Sequence, residues 1–451
     1  MLQRAGAGFG MLPLAALAHV SARGATATGQ PHFQPRVKRV VFLFMNGAPS
    51  HVDTFDPKPA LQRVAGQQPA GMKTKGNGFM PSPFRFAPRG ESGVVMSELF
   101  PQLARHADDL CVIRSMHTDT PNHEPGLLMM HSGNQQPIRP SLGSWVSYGL
   151  GTENENLPAF VAICPGMPVV GPQLWSSAFL PASHQAMRVN TSDMRLDKLV
   201  AHLDHPYLDR AAQRRQLDFT QRLNHLRAQR TTMDDSLDAH IRSLELAFQM
   251  QAEASTAFDI SREPPYVHQR YPDTTFGHSC LLARRLLEHG VRFVQVYYVD
   301  KNKQPWDTHA DNNNRHRTLC ADSDRASAAL LADLKERGLL EDTLVIWGGE
   351  FGRTPYSQTN DKNNKSKPGR DHHATGFSMW LAGGGIQGGT MYGRTDEFGM
   401  HAVENRVHVH DLHATILHLL GIDHTRLTYR YSGRDFRLTD VHGNVVTDIL
   451  A

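Results

Sequence analysis

The sequence is poor in cysteine, with four in 451 residues. No two of them form a C-x-x-C pair, so neither a zinc knuckle nor a dithiol redox motif is indicated. We interpret them as buried small hydrophobic residues rather than as disulfides. They are Cys111, Cys164, Cys280 and Cys320.

The chain also lacks an apolar run of the ~20 residues that a membrane-spanning helix needs, so we expect no transmembrane segment in the mature protein. It has no long basic run interleaved with aromatic residues, and 47 Lys and Arg against 44 Asp and Glu leave a net charge of only +3. Nucleic acid is therefore not an expected partner. A hydrophobic content of 40% is ordinary for a globular protein with a sizeable core.

Residues 1–27 have the composition of a cleavable export signal. A basic start is followed by a short Gly- and Ala-rich apolar stretch and by the small residues Ala25, Thr26 and Ala27. The stretch resembles the second half of a twin-arginine signal, in which case Met1 is an internal start. The alternative is a disordered cytosolic tail. We favour the signal and expect a bacterial protein of the periplasm or cell surface.

The rest of the chain, residues 36–451, is predicted to form one α/β domain. Short apolar strands at Lys38–Phe44, Val291–Val299 and Thr343–Trp347 alternate with helices, as in a doubly wound, mostly parallel sheet flanked by helices. Charged helical sequence at about 205–261 predicts a helical hairpin insertion. Further strands are expected at Leu110–Ile113, Ala159–Ile163 and Phe377–Leu381, and further helices at Glu124–His131, Ser323–Arg337 and Asp411–Leu420.

Polar clusters stand beside four of these strands, and many of the 26 histidines neighbour an acid or an amide. In open α/β sheets, reactive groups collect at the carboxyl ends of the strands. Histidine, Asp and Glu are also the raw material of metal sites and acid/base chemistry. The four clusters therefore predict one shared site. They are Asn46–Asp53, Trp306–Asp311, Gly349–Arg353 and, just before the Phe377 strand, Gly369–His373.

Several segments are similar to the exported bacterial family catalogued as domain of unknown function 1501, itself similar to sulfatases and alkaline phosphatases. The similarity covers nearly the whole chain after the signal. The segments are GAPSHVDTFDPKP (Gly47–Pro59), LLARRLLEHGVRFV (Leu281–Val294), WDTHADN (Trp306–Asn312), GGEFGRTP (Gly348–Pro355), GRDHH (Gly369–His373) and HDLHATILHLLGIDH (His410–His424).

The resemblance implies an alkaline-phosphatase-like fold with metal ligands after several strands. Asn46 falls where the superfamily has an Asp ligand, and Phe351 falls where it has a His. His123 occupies the nucleophile position, where no Cys, Ser or Thr stands. The implied metal ligands are Asn46, Asp53, Asp307, His309, Glu350, Asp371, His372 and His373, and the implied catalytic residues are His123 and Arg353.

Mixed nitrogen and oxygen ligands suit a divalent zinc or manganese ion better than calcium. Arg353 and Arg370 could hold an oxyanion, although an ion pair with an acid is an equal reading for Arg353. His123 is a nucleophile, a ligand or a hydrogen-bonded structural group. Two functions remain open. One is a metal-dependent hydrolase of sulfate or phosphate esters, on small molecules or polysaccharides. The other is a non-catalytic binding or assembly protein that retains the fold.

Overall fold

The strands of the protein are numbered in chain order. The computed structural model describes residues 29–200, 207–228, 245–246, 248–251, 253–301, 303–359 and 367–451. The strands are β1 Arg39–Phe44, β2 Phe86–Arg89, β3 Val94–Ser97, β4 Leu110–His117, β5 Phe160–Ile163, β6 Met187–Val189, β7 Phe293–Tyr297, β8 Thr343–Gly348, β9 Gly352–Gln358, β10 Gly369–His373, β11 Phe377–Gly383, β12 Thr390–Tyr392, β13 Arg394–Thr395, β14 Ala402–Glu404, β15 Val407–His408, β16 Tyr429–Tyr431 and β17 Arg434–Phe436.

The helices alternate with the strands. They are α1 His51–Thr54, α2 Ala60–Arg63, α3 His123–Ser132, α4 Leu142–Leu150, α5 Leu196–Leu199, α6 Arg210–Ala228, α7 Pro265–Arg270, α8 Thr275–Glu288, α9 Asn312–Glu336 and α10 Val409–Leu419. Shorter 3-10 turns lie at Leu103–Asp109, Gly171–Trp175, Ala182–His184, Ile260–Arg262, Leu340–Asp342 and Thr447–Ile449.

A nine-stranded sheet forms the centre of the molecule, in the order β12-β4-β11-β8-β1-β7-β5-β6, with β15 also pairing with β4. Strand β1 lies between β7 and β8 and is parallel to both. Among the described strands of this sheet, only β11 is antiparallel to its neighbours, β4 and β8. The predicted mostly parallel sheet is therefore confirmed. Its parallel strands β1, β7 and β8 end at Phe44, Tyr297 and Gly348, and these carboxyl ends lie at the same edge of the sheet.

The side chains of β1 alternate between two hydrophobic cores, because successive residues of a strand point to opposite faces. Val41 and Leu43 belong to the core that packs under α8 and α9. Phe42 and Phe44 belong to the core that packs under α3, α4 and α10. Helices therefore cover both faces of the sheet, as predicted, and β1 is buried on both sides.

Two features differ from the sequence-based expectation. Helix α9 begins at Asn312 and not at Ser323, directly after Asp311, whose left-handed backbone (φ of 53°) turns the chain into the helix. The Gly369–His373 segment is a strand, β10, which pairs with β9 in an antiparallel hairpin outside the central sheet. Strands this short and polar lack the apolar alternation by which strands are recognised.

The helical insertion at about 205–261 stays a prediction. Helix α6 and helical residues between 245 and 257 are described, whereas 229–244 and the predicted signal at 1–27 lie outside the described residues. All four cysteines are buried and free, as predicted. Within the described part of the chain, no helix combines the length and apolar character needed to span a membrane.

Candidate metal centre

The central sheet and one hairpin bring the polar clusters to a common edge. Glu350 follows β8 directly, and Asp307 lies in the loop between β7 and α9. Because β11 is antiparallel, the residues that precede it lie at the same edge as those that follow its parallel neighbours. Pairing of β9 with β10 then sets His372 opposite Arg353 and places both beside Asp307.

Three imidazole nitrogens surround one carboxylate oxygen. The Nε2 atoms of His123, His309 and His372 lie 3.3, 3.0 and 3.3 Å from Oδ1 of Asp307. The Nε2 atoms of His309 and His372 are 2.9 Å apart. In this group of His123, Asp307, His309 and His372, one donor atom from each residue lies within 4.8 Å of all the others.

These distances fit a shared divalent cation. Ligands at 2.0–2.2 Å from a tetrahedral ion stand roughly 3.3–3.6 Å apart, close to the separations around Asp307 Oδ1. The Nε2 atom of His123 is buried and lies 3.3 Å from Oδ1 of Asp307, so the two atoms are placed to share a cation. Three histidines and one carboxylate suit zinc or manganese. The residues therefore fit the metal that the sequence predicts.

His123 begins α3, and its ring lies between the carboxylates of Glu350 and Asp307. Its Nδ1 is 2.6 Å from Oε1 of the fully buried Glu350. A carboxylate accepts, so Nδ1 carries a hydrogen and Nε2 is the nitrogen that faces Asp307. A cation bound at Nε2 would displace the proton that the two carboxylates favour there. Glu350 also accepts from the backbone N–H of Gly47 at 3.1 Å. This is the arrangement in which a second carboxylate orients a histidine ligand.

His309 is oriented by neighbours that face its other nitrogen. Its Nδ1 contacts Oε1 of Gln358, and Oδ1 of Asp371 lies 3.8 Å from the same nitrogen. Asp371 thus stands beside the group rather than in it. Gln358, at the end of β9, is a residue that the sequence analysis missed. Its position depends on the unrecognised hairpin, so no sequence signal marked it.

Arg353 is fully buried, and all three nitrogens of its guanidinium group donate hydrogen bonds within the protein. Nη2 donates to Asp307 Oδ1 at 2.6 Å and to the carbonyl of Gly47, while Nε donates to the carbonyl of Ala48 at 3.1 Å. Nη1 donates to the carbonyl of Arg370 at 3.4 Å. Arg353 therefore holds Asp307 in place, which matches the ion-pair reading of the sequence. Its oxyanion role stays a prediction.

Asp53 lies apart from the four-residue group. Its carboxylate accepts from Arg370 at 2.8 and 3.1 Å, from Asn312 at 3.0 Å and from Ser50 at 2.7 Å. Asp53 and Arg370 thus form a fully buried ion pair. The Arg370 guanidinium, which the sequence analysis considered for binding an oxyanion, is bound to Asp53 instead. Asp53 thus ties helix α9, through Asn312, and strand β10, through Arg370, to helix α1.

His373 also points away from the group. Its Nε2 lies 2.7 Å from the carbonyl of Met400, and its ring stacks on His51. Adjacent strand residues face opposite sides, so only one of His372 and His373 can reach Asp307. The structure brings His372 there.

Asn46 follows β1 and is fully buried, yet neither Oδ1 nor Nδ2 has a partner among the described residues. An amide buried without hydrogen bonds is costly, so such a group calls for a ligand or water. The next residue, Gly47, has φ of 109°, and a Cβ there would lie 2.4 Å from the backbone nitrogen of Asp307. Close packing of these two loops thus requires glycine.

The group carries strongly shifted pKa values. Burial lowers the pKa of His123, but hydrogen bonds to Asp307 and Glu350 outweigh it and raise that pKa to about 9. Burial raises the pKa of Asp307, yet the three histidines and Arg353 hold it far below its usual value. Burial lowers the pKa of His372. Asp307 is therefore ionised at neutral pH, as a metal ligand must be.

Fold and site together describe a mostly parallel α/β protein with a candidate metal centre at one edge of its sheet. The chain belongs to the family described as protein of unknown function DUF1501, whose model matches residues 37–450. The family expected from the sequence is thereby confirmed. No curated protein matches the chain.

The chain has a distant likeness to several solved structures. The lipoteichoic acid synthase LtaP from Listeria monocytogenes is 8% identical, with 92% of this chain and 78% of that chain covered and a TM-score of 0.38. The PsFucS1 sulfatase from Pseudoalteromonas sp. is 13% identical, with 91% and 70% covered and a TM-score of 0.35. Alkaline phosphatase from the Antarctic bacterium TAB5 is 11% identical, with 77% and 92% covered and a TM-score of 0.31. Scores this low carry no argument about site or activity.

Proposed function

We propose that this chain is an exported, metal-dependent hydrolase of sulfate or phosphate esters, carried by small molecules or polysaccharides. One observation carries the proposal, namely the convergence of three histidine Nε2 atoms on Oδ1 of Asp307. Such a donor set holds a divalent cation in proteins. A cation there would polarise an ester oxygen and offset negative charge in the transition state.

The exposure of the group supports an open site rather than a sealed structural one. The side chains of Asp307, His309 and His372 remain 25%, 24% and 19% exposed. Structural zinc sites are closed, whereas catalytic sites leave a position for substrate. Solvent therefore reaches the side of the group on which an ester oxygen would have to bind.

The chain's own residues hold and orient this group. Glu350 accepts the Nδ1 proton of His123, Gln358 contacts Nδ1 of His309, and Arg353 fixes Asp307. With Nδ1 hydrogen-bonded to Glu350 and Nε2 facing Asp307, His123 is better placed as a ligand than as a nucleophile. Asn46, buried and without a hydrogen-bond partner among the described residues, would donate its amide to a substrate oxygen or offer its carbonyl to the cation.

The alternative is a non-catalytic binding protein, and the donor count favours it. Four protein donors would fill a tetrahedral zinc ion and leave no position for a substrate. A five- or six-coordinate ion on the same four donors would leave room. Hydrolysis therefore requires either an expanded coordination number or release of one of the four donors, and the identity of the bound metal bears directly on function.

Metal content and esterase activity should be measured together on the full chain. We expect the purified protein to hold about one equivalent of zinc or manganese and to cleave an aryl phosphate or an aryl sulfate. Asp307→Ala and His309→Ala should lower both quantities. Asp322→Ala and His289→Ala are matched controls, since each is partly buried and hydrogen-bonded away from the group.

Two outcomes discriminate between the hydrolase and the binding protein. If Asp307→Ala and His309→Ala leave metal content unchanged, the group is structural and the hydrolase proposal fails in favour of the non-catalytic binding protein. If metal falls but neither ester is cleaved by the unaltered chain, the binding protein is favoured. The export part of the proposal has its own test, because intact-mass analysis of protein from the native host should find no residues 1–27.

A further inference from the structure

Helix α6, Arg210–Ala228, presents an apolar stripe to solvent. Phe219, Leu223 and Leu226 are 63%, 50% and 54% exposed. Their spacing of four and three residues puts them on one face of the helix. Single exposed apolar residues are ordinary, but three large ones in one row mark an interaction surface.

The opposite face of α6 contacts other residues of the protein, so the apolar stripe points away from them. Arg214 forms ion pairs with Glu245 at 2.6 Å and with Asp218 at 2.7 Å. The guanidinium groups of Arg210 and Arg214 lie over the ring of Phe248 at 5.5 and 5.6 Å. The face that carries Arg210 and Arg214 thus contacts residues 245 and 248, while the apolar stripe faces solvent.

Arginines flank the stripe. At 100° per residue, Arg215 and Arg222 fall beside Phe219 on the same exposed face, and neither has an ion-pair partner in the described part of the chain. The helix as a whole carries five arginines and one aspartate, a net charge of +4. Its one carboxylate, Asp218, is paired with Arg214. The outward face is therefore both apolar and cationic.

The positive charge of this face favours some binding partners over others. A second copy of the chain on a twofold axis would set the same face against itself, which brings arginines together without a carboxylate to compensate. The surface of an anionic lipid bilayer complements both the positive charge and the apolar side chains of this face. Guanidinium groups bind phosphate oxygens bidentately, and Phe and Leu side chains enter the boundary between headgroups and acyl chains.

We propose that the outward face of α6, formed by Arg215, Phe219, Arg222, Leu223 and Leu226, docks the protein on an anionic lipid bilayer. The helix would lie flat in the headgroup region, with its axis along the membrane plane. The surface belongs to the helical insertion and goes beyond the proposed ester hydrolysis. The two can fail separately, because vesicle binding requires neither metal nor turnover.

Flotation with lipid vesicles tests the proposal on the full chain. Vesicles of phosphatidylglycerol and phosphatidylcholine in equal parts should bind the protein, and vesicles of phosphatidylcholine alone should bind it at least tenfold less. The double variant Phe219→Ser and Leu223→Ser should lower the partition coefficient at least tenfold. The pair Arg215→Gln and Arg222→Gln should lower it on anionic vesicles and remove its dependence on salt.

A matched control replaces apolar residues that are equally exposed elsewhere. Tyr266 and Val403 are 62% and 58% exposed, so Tyr266→Ser with Val403→Ser should bind vesicles like the unaltered chain. Circular dichroism and thermal melting check that each variant is folded. Because the altered α6 side chains face solvent, their melting temperatures should stay close to that of the unaltered protein.

The proposal is overturned if the unaltered protein does not float with anionic vesicles, or if the control pair weakens binding as much as the α6 pair. A dimer in sedimentation equilibrium that Phe219→Ser and Leu223→Ser dissociate, without vesicle binding, would assign the face to a second copy. Retention on immobilised polyglutamate without vesicle binding would assign it to an acidic protein. Either result would refute the proposal that the face binds a lipid bilayer.

Discussion

Replacing Glu350 by glutamine tests how the protein orients His123, with almost no change in volume. The carboxylate accepts the Nδ1 hydrogen of His123 at 2.6 Å and the backbone N–H of Gly47 at 3.1 Å. Glutamine replaces one of the two oxygens by an NH2 donor, and with its oxygen at the Oε1 position that NH2 would face the Gly47 N–H, which lies 3.2 Å from Oε2. If the amide N–H turns towards His123, Nδ1 becomes an acceptor and the hydrogen moves to Nε2, where it blocks the ligand lone pair.

Loss of such an orienting carboxylate typically lowers metal affinity 10- to 100-fold, which corresponds to about 1.4–2.7 kcal/mol. We expect Glu350→Gln to fall in this range, whereas His123→Ala, which removes a donor atom, should lower the affinity further. Competition titration against a chelator of known affinity, with zinc and manganese in turn, measures the difference. Thermal melting of the metal-free variant separates an affinity change from unfolding.

The reasoning is refuted if Glu350→Gln binds metal as tightly as the unaltered chain while His123→Ala does not. Glu350 would then serve only to accept from Gly47, and His123 would be held by its place at the start of α3. If His123→Ala abolishes turnover while metal stays bound, His123 takes part in the chemistry itself. Unchanged metal and turnover in both variants would remove His123 from the site.

Three further predictions concern the scaffold. Asp53→Ala should destabilise the protein by about 3–5 kcal/mol in urea unfolding, because it leaves Arg370 buried without its partner; equal stability would contradict this. Burial raises the pKa of Asp53, but Arg370 and other partners outweigh it and lower that pKa below 3.8, so the stability that the pair contributes is present above about pH 4 and is lost as the pH falls. Gly47→Ala should weaken metal binding, measured by the same chelator competition, because the new methyl group would push the Asp307 backbone away. Burial raises the pKa of Cys111 to about 12, so a thiol reagent should find four reactive thiols only after denaturation, and rapid reaction in the native state would refute the buried assignment.

Much of the architecture was predictable because it depends on local sequence patterns. The runs RVVFLF and TLVIWG are continuously apolar, as strands buried on both faces must be, and both are strands of the central sheet. The ends of α9 and α10 were marked by the glycines that follow them, Gly338 and Gly421. The antiparallel direction of β11 was not predictable, since it depends on which neighbours a strand finds and not on its own composition.

The sequence by itself determined which residue types could form a site and that they would meet at one sheet edge, because parallel strands share the position of their carboxyl ends. It placed Asp307, His309 and His372 among the candidates. Only the tertiary structure decided that His123 joins them, that Glu350 stands behind it, and that Asp53 pairs with Arg370 instead. These choices depend on contacts between residues up to 317 positions apart, and such contacts arise from packing rather than from any local signal.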